Sequence, residues 1–296
     1  MQIESLKVFC DLVDTGSFSQ AAARNSISQS AVSQQVRALE DRFGKQLIER
    51  NRRGVVPTPA GIAFYEGCRE ILENVAALAD DLGRTGKSVR GSVRVATIYS
   101  VGLQELQPLV KEFILSYPEV NIHVEYSRTN RIYEDLISGT IDLGIVAYPV
   151  ARPQIEIIPF RDDPMVVICG PEYSLAGRKQ IELQQLADER FVGFERDIPT
   201  RKAVDEILRD NGVIPRYAME FDNIETIKRS VEVGQGIALV PLVTVQNEVR
   251  GGSLVVVKIQ PEFSRPAAII HRKGRVFSAA TRKFVELLTG APRQPQ

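Results

Sequence analysis

The chain has 296 residues with 37 basic and 37 acidic side chains. Its formal charge is therefore zero, which excludes a strongly basic nucleic-acid coat but not a local basic patch. Apolar residues make up 44%, charged residues 25% and aromatic residues 7%, ordinary globular values that argue against disorder, collagen or a coiled-coil rod. At roughly 100–200 residues per domain, the length corresponds to about two domains. No apolar run reaches the roughly 18 residues of a membrane helix. Glu4, Asp11 and Asp14 interrupt the apolar pattern at the N-terminus, which does not read as a signal peptide. Cys10, Cys68 and Cys169 lie far apart in sequence without CxxC spacing and cannot build a disulfide framework. They are expected as buried thiols of a reduced, cytoplasmic protein with no membrane contact.

Ile3, Leu6, Phe9, Leu12 and Val13 form a helical stripe that ends at Gly16. Ser17, with Gln20 three residues on, is a capping box that opens a second helix through Arg24. Ser28 caps a third helix over 29–43, stopped by Gly44. In that helix Val32, Val36, Leu39 and Phe43 make one buried face, opposite Gln29, Ser30, Ser33, Gln34 and Arg37. Two short helices joined by a tight turn, the second with amides and hydroxyls outward, describe a helix-turn-helix. Gln bonds bidentately to adenine, Ser donates or accepts at base edges, and Arg37 reaches guanine or phosphate. A solvated polar face is the plain alternative. Residues 49–56 (ERNRRGVV) then read as a hairpin with a basic tip, a wing. Between residues 18 and 60 seven Lys/Arg stand against three acids (+4), whereas residues 1–17 hold one Lys and three acids (−2). The positive charge is thus gathered on the part that would meet phosphates.

Thr58 and Pro59 suit the N-cap and first position of a longer helix. Its Ile62, Tyr65, Cys68 or Arg69, Leu72, Val75, Leu78 or Ala79, and Leu82 keep spacings of three and four. Such a seam either meets a partner helix or packs on its own domain. Residues 83–88 form a polar linker. Beyond it, strands are expected at 92–97, 120–126 and 141–146, with helices at 103–116 and 131–138 between them. A second set follows: strands at 165–169, 191–194, 217–221, 237–240 and 254–259, with helices at 183–188, 201–211, 223–233 and 242–249. A strand at 267–270 and a helix at 278–288 close the chain. This rhythm predicts a parallel sheet with crossover helices, in two α/β lobes joined by crossings near 161–163 and 264–267.

Several blocks resemble the LysR-type transcriptional regulators. Residues 18–25 (FSQAAARN), 28–40 (SQSAVSQQVRALE) and Phe43-Gly44 look like that family's helix-turn-helix, continuing into 47–50 (LIER) and 58–61 (TPAG). Residues 136–139 (LISG), 142–145 (DLGI) and 234–241 (GQGIALVP) resemble its effector domain, so the likeness runs in order along the whole chain. Where the family often has Phe-Glu-Arg before the wing, this chain has Ile48-Glu49-Arg50. The resemblance implies an α/β architecture in three parts. Residues 1–57 would be a winged helix-turn-helix and 58–88 a long linker helix that pairs two subunits. Residues 89–296 would be a two-lobed, periplasmic-binding-protein-like effector domain, with lobe I over 91–161 and 268–290 and lobe II over 162–267. It further implies homodimers assembling into homotetramers on double-stranded promoter DNA, with RNA polymerase as a partner and a small-molecule effector in place of any cofactor.

For DNA contact the candidates are Ser28, Gln29, Ser30, Ser33, Gln34 and Arg37, with Arg52 and Arg53 at the wing. For the effector, ligands in such folds lie beyond the carboxyl ends of strands and at helix N-termini. That points to Thr97 and Ser100, to Ser127, Arg128 and Thr129, to Ala147, to Thr200 and Arg201, and to Asn223. Asp222 and Glu225 read as a capping pair beside the last of these. Hydroxyls, helix N-termini and arginines converging on one cleft favour a small anion, whereas caps and turns with no ligand are the plain alternative. Enzyme readings lack a catalytic set. His123 and His271 stand apart, there is no HExxH, P-loop or GxSxG, and Gly234-Gln-Gly236 lacks the third glycine of a dinucleotide fingerprint. A transport-type solute-binding module would share the two lobes but has no use for residues 1–88.

Overall fold

The computed structural model describes residues 2–51, 54–82 and 89–290. The chain forms two compact units, the first built mainly from residues up to Val89 and the second from Arg90 onward.

The first unit runs α1 (Ile3–Thr15), α2 (Phe18–Arg24), α3 (Gln29–Phe43), β1 (Ile48–Asn51), β2 (Gly54–Pro57) and α4 (Pro59–Leu82). The hydroxyl of Ser17 accepts the Gln20 N–H and that of Ser28 the Ala31 N–H, so each helix starts on an oxygen that satisfies an otherwise orphaned donor. Leu6, Phe9 and Leu12 of α1, Phe18 and Ala21 of α2, and Val32, Val36 and Leu39 of α3 close one core with Leu47 and Cys68. Phe43 departs from the expected buried face. It is 46% exposed because it is the last residue of α3, and its ring leans on Phe64 at 5.0 Å. The three cysteines are buried free thiols, as expected. Packing of α1 on α4 sets Cys10 beside Cys68, both buried and both free thiols. The neighbouring Cys68 sulfur, with burial added, pushes the Cys10 thiol far up.

The second unit runs β3 (Gly91–Thr97), α5 (Tyr99–Val101), a π-helical turn (Gly102–Leu106), α6 (Gln107–Ser116), β4 (Val120–Tyr126), α7 (Thr129–Ile137), β5 (Leu143–Ala147) and β6 (Ile155–Cys169). It continues with β7 (Gln180–Glu182), a 3-10 helix (Leu183–Leu186), β8 (Arg190–Phe194), α8 (Pro199–Asp210), β9 (Arg216–Phe221) and α9 (Ile224–Glu232). The last elements are β10 (Ala238–Pro241), a 3-10 helix (Leu242–Val245), α10 (Gln246–Gly251), β11 (Val255–Gln260), β12 (Ser264–Arg272) and α11 (Ala279–Leu288).

The sheet order is β4-β3-β5-β12-β6-β11-β7, with β10 also on β6, and β8 and β9 pair separately. The expected parallel sheet is a mixed one. β3 runs parallel to β4 and β5, but β12 is antiparallel to β5 and to β6, and β10 and β11 are antiparallel to β6. The difference lies in β6, whose first ten residues were not expected as strand because Pro159, Arg161, Asp162, Asp163 and Pro164 break the apolar pattern. Its first part pairs with β12 in one lobe and its second part with β10 and β11 in the other. In that second part Met165, Val167 and Cys169 enter one apolar cluster and Val166 and Ile168 another. The strand is buried on both faces, which is why it reads as an unbroken apolar run. The chain therefore crosses between lobes inside two paired strands, with Asp163 opposite Arg265. Among the described residues no helix is long and apolar enough to cross a membrane.

Candidate nucleic-acid interface and ligand cavity

On α3, Gln29, Ser30, Gln34 and Arg37 are exposed and Ser33 is half-buried, on the side away from Val32, Val36 and Leu39. Ser28 serves as the cap, its Oγ 2.8 Å from Ser30 Oγ. What holds this helix to the hairpin is Glu40, a residue the sequence reading passed over. Its Oε1 accepts from the Leu47 N–H at 2.8 Å and the Ile48 N–H at 3.3 Å. A carboxylate one turn from the end of α3 thus satisfies the backbone that leads into β1, and helix and wing form one body. The signal was only Glu40 following the apolar Leu39 in a stretch of mixed charge, which nothing local distinguishes from a solvated acid. β1 and β2 pair from Ile48–Pro57 to Asn51–Gly54. Val55 N–H donates to the Gly16 carbonyl at 3.0 Å, and a Cβ on Gly54 would lie 2.7 Å from that oxygen at a φ of +131°. Glycine is needed there on both counts. Arg52 and Arg53 lie outside the described residues, as does the linker at 83–88.

In the second unit a cavity of about 310 Å³ opens between the lobes. Seven of the nine expected effector residues line it: Ser100, Ser127, Arg128, Thr129, Ala147, Thr200 and Asn223. The first residues of α5, α7, α8 and α9 all line it, so four helix starts border one space. Asn223 is the cap of α9, its Oδ1 accepting from the Thr226 N–H at 3.0 Å. This replaces the expected Asp222–Glu225 pair. Asp222 instead accepts from Asn223 and Arg128, and Glu225 pairs with Lys228 at 2.9 Å.

Thr97 and Arg201 are not among the lining residues. Thr97 is fully buried at the end of β3, its hydroxyl donating to the Ile98 carbonyl at 3.3 Å. Arg201 sits one residue past the cavity-facing Thr200 and is turned to the other side of α8. There it donates to the Phe194 carbonyl at 2.7 Å, Glu220 at 2.9 Å and Asp205 at 2.8 Å, and lies 3.3 Å over the Tyr217 ring. Its Nε and Nη1 donors are taken up within the lobe. Arg128 reaches across the cleft to Glu195 at 2.7 Å, Asp222 at 3.4 Å and Asp197 at 3.5 Å, and hydrogen bonds to Glu195 and Asp222 push its pKa further up. Two cations went unread in the sequence. Arg152 stands 4.1 Å over the Tyr133 ring, and Lys202 is in the first turn of α8. Lys202 could have been found from its place two residues after Thr200; Arg152 follows no strand end or cap. The charged lining is three cations (Arg128, Arg152, Lys202) against two carboxylates (Asp197, Asp222). Among the described residues no His/Cys/Asp/Glu group is arranged to hold a metal.

A winged helix-turn-helix followed by a long helix and a two-lobed α/β domain with a cleft defines the class of helix-turn-helix transcriptional regulators that carry a C-terminal substrate-binding domain. The model for the bacterial regulatory helix-turn-helix protein, lysR family, matches residues 3–62, and that for the LysR substrate binding domain matches 86–293. The chain belongs to the LysR family of transcriptional regulators, which are not enzymes. It is 30% identical to the RuBisCO operon transcriptional regulator of Allochromatium vinosum, over 97% of this chain and 95% of that one. Among solved structures, a full-length OxyR variant from Pseudomonas aeruginosa superposes with a TM-score of 0.77 at 22% identity, covering 98% of this chain and 94% of that one. The regulatory domain of CcmR from Synechocystis PCC6803, in complex with 2-PG, superposes with a TM-score of 0.63 at 27% identity, covering 69% of this chain and 99% of that one.

Proposed function

We propose that this chain reads operator DNA through α3 and the wing, and that a small anionic metabolite bound in the inter-lobe cavity modulates its DNA binding or activation. Residues 1–57 carry the DNA contacts, 58–88 pair two subunits and 89–296 bind the effector. The observation that carries the effector part is the meeting of four helix N-termini and four hydroxyls (Ser100, Ser127, Thr129, Thr200) around one cavity. Each N-terminus favours a negative charge by roughly 0.3–1 kcal/mol, and Arg152 and Lys202 add to the same field. The 2-PG complex of the related CcmR domain supports a ligand-holding role. Pairing through α4 is supported by Ile71 and Leu78, one heptad apart and 42% and 59% exposed, while Cys68 of the same helix is taken up by its own core. Dimers joined there would form tetramers on bent promoter DNA.

On DNA, Gln29, Ser30, Ser33 and Gln34 face base edges, Arg37 reaches phosphate or guanine, and Arg52 and Arg53 lie along the backbone or minor groove. Gln34→Ala is expected to weaken binding to the neighbouring promoter about tenfold or more, the worth of one bidentate base contact, and to leave random DNA nearly unaffected. Gel shifts on both DNAs check this; unchanged discrimination would remove Gln34 from the groove. For the effector, a thermal-shift screen of carboxylates and phosphate esters on the full chain is expected to find a stabilising compound. At about 100-fold over its Kd the gain is about 2.7 kcal/mol. The Ser127→Ala/Thr200→Val double variant should lose that shift, and a compound that still stabilises it binds elsewhere.

A further inference from the structure

Behind Ser100 lies a polar cluster at the point where β6 and β12 carry the chain from lobe to lobe. Arg265 of β12 is fully buried. It grips Asp163 of β6 at 2.6 Å, and its Nη1 donates to the Ser100 hydroxyl, also at 2.6 Å. Beside them is Glu105, on the π-helical turn of one lobe, which also packs against the Leu242–Val245 helix of the other. Its Oε2 is 3.1 Å from Arg161 Nε on β6, whereas its Oε1 is buried with no hydrogen-bond partner among the described residues. The charges facing Glu105 are thus Arg161 and Asp163 from β6 and Arg265 from β12. The Leu242–Val245 helix brings no titratable side chain, Tyr99 of α5 lines the cavity, and Lys111 and Glu112 of α6 are exposed.

A buried carboxylate with one bare oxygen, beside a second carboxylate, is a poor place for a negative charge. The neutral acid tolerates the same packing at far smaller cost. Burial, with Asp163 adding to it, pushes Glu105 up to about 7, against the pull of Arg265 and Arg161. A π-helical turn is itself a local departure from regular helix that often marks a functional site.

We propose that Glu105 is a proton switch on the lobe crossing. Protonated, it lets the π-helical turn seat against β6, β12 and the Leu242–Val245 helix. Ionised, it draws water to Oε1 and loosens that seat. Because Arg265 holds Ser100, the loosening reaches a wall of the cavity; this last link alone rests on the effector reading. The folded-state pKa is raised, so the stabilisation is complete below the unfolded value of about 4.5 and is lost as pH rises toward about 7. Above that it levels off.

Hydrogen exchange on the full chain without any effector tests this between pH 5.5 and 8. After correction for the intrinsic pH dependence of exchange, opening of residues 102–106 and 159–164 should rise up to about tenfold per pH unit, one proton released per opening, and flatten near pH 7. Glu105→Gln should keep its pH 5.5 protection at pH 8. A wild-type profile that is flat, or one that E105Q reproduces, overturns the switch. Were E105Q not to fold, the wild-type profile alone would decide, and since no ligand is used, the result is separate from whether the cavity binds an anion.

Discussion

Asp142→Ala is expected to lower the stability of the second unit by about 3–5 kcal/mol, the range for removing one partner of a buried ion pair. Asp142 is buried just before β5 and serves two guanidinium groups at once. Its Oδ1 is 2.7 Å from Arg94 Nη2 and 2.6 Å from Arg275 Nη2, and its Oδ2 accepts the Arg94 backbone N–H at 2.6 Å. Arg94 is on β3 and Arg275 follows β12, so one carboxylate ties together three separate stretches of chain. The two arginine side chains are only 14% and 12% exposed. Without the aspartate, two largely buried guanidinium groups lose the carboxylate that they share. Thermal unfolding should show a fall of roughly 10 °C, given about 2–4 °C per kcal/mol for a domain of this size. Glu119→Ala is the control. The Arg90–Glu119 pair is 70% and 45% exposed, and its loss should change stability by less than about 1 kcal/mol. Equal effects of the two substitutions would mean that the Asp142 triad is hydrated and has no special weight.

The contrast between these two pairs marks what was legible in the amino-acid sequence. Caps and periodicities act over four residues, so Ser17, Ser28 and the stripes of α1 and α3 could be read locally and the helices begin and end within a residue of expectation. Most of the cavity was reachable by the same local logic, because strand ends and helix starts are visible in the pattern and the fold brings them together. The misreadings share one cause: they depend on partners far away in the chain. Pro159 to Pro164 looked like a break because the strand that orders them, β12, lies about 100 residues on. Arg201 looked available for a ligand because Glu220 and Tyr217, which occupy it, come from β9. A one-residue shift along α8, from Thr200 to Arg201, moves a side chain by about 100° around the helix. That rotation separates cavity from lobe interior, and a pattern of hydroxyls and cations does not encode it.

Gly61→Ala is expected to weaken the first unit and its DNA binding together, and it shows why the TPAG block has its glycine. The backbone conformation there is ordinary; space is the constraint. A Cβ on Gly61 would lie 1.8 Å from the Leu47 carbonyl oxygen and 3.2 Å from Pro57 Cβ. That carbonyl is not free to retreat, because it accepts the Thr58 N–H at 3.0 Å. Thr58 Oγ1 in turn donates to the Gln46 carbonyl at 2.7 Å and accepts the Gly61 N–H at 2.9 Å. Glycine at 61 is therefore what allows the start of α4 to lie directly on the segment entering β1. A methyl group must drive the two apart by more than an ångström, which breaks the cap as well as the contact. The cost combines an overpacking term of about 1–3 kcal/mol with about 1 kcal/mol for the cap. The same segment holds the Leu47 and Ile48 N–H groups that Glu40 of α3 accepts. The displacement is therefore transmitted to the angle between α3 and the wing. Promoter affinity in a gel shift should fall at temperatures where the variant is still folded by circular dichroism. Thr58→Ala, which removes the cap but not the fit, should lose stability by about 1 kcal/mol and keep most of its DNA affinity. If the two variants behaved alike, the cap rather than the close approach would be what sets the wing.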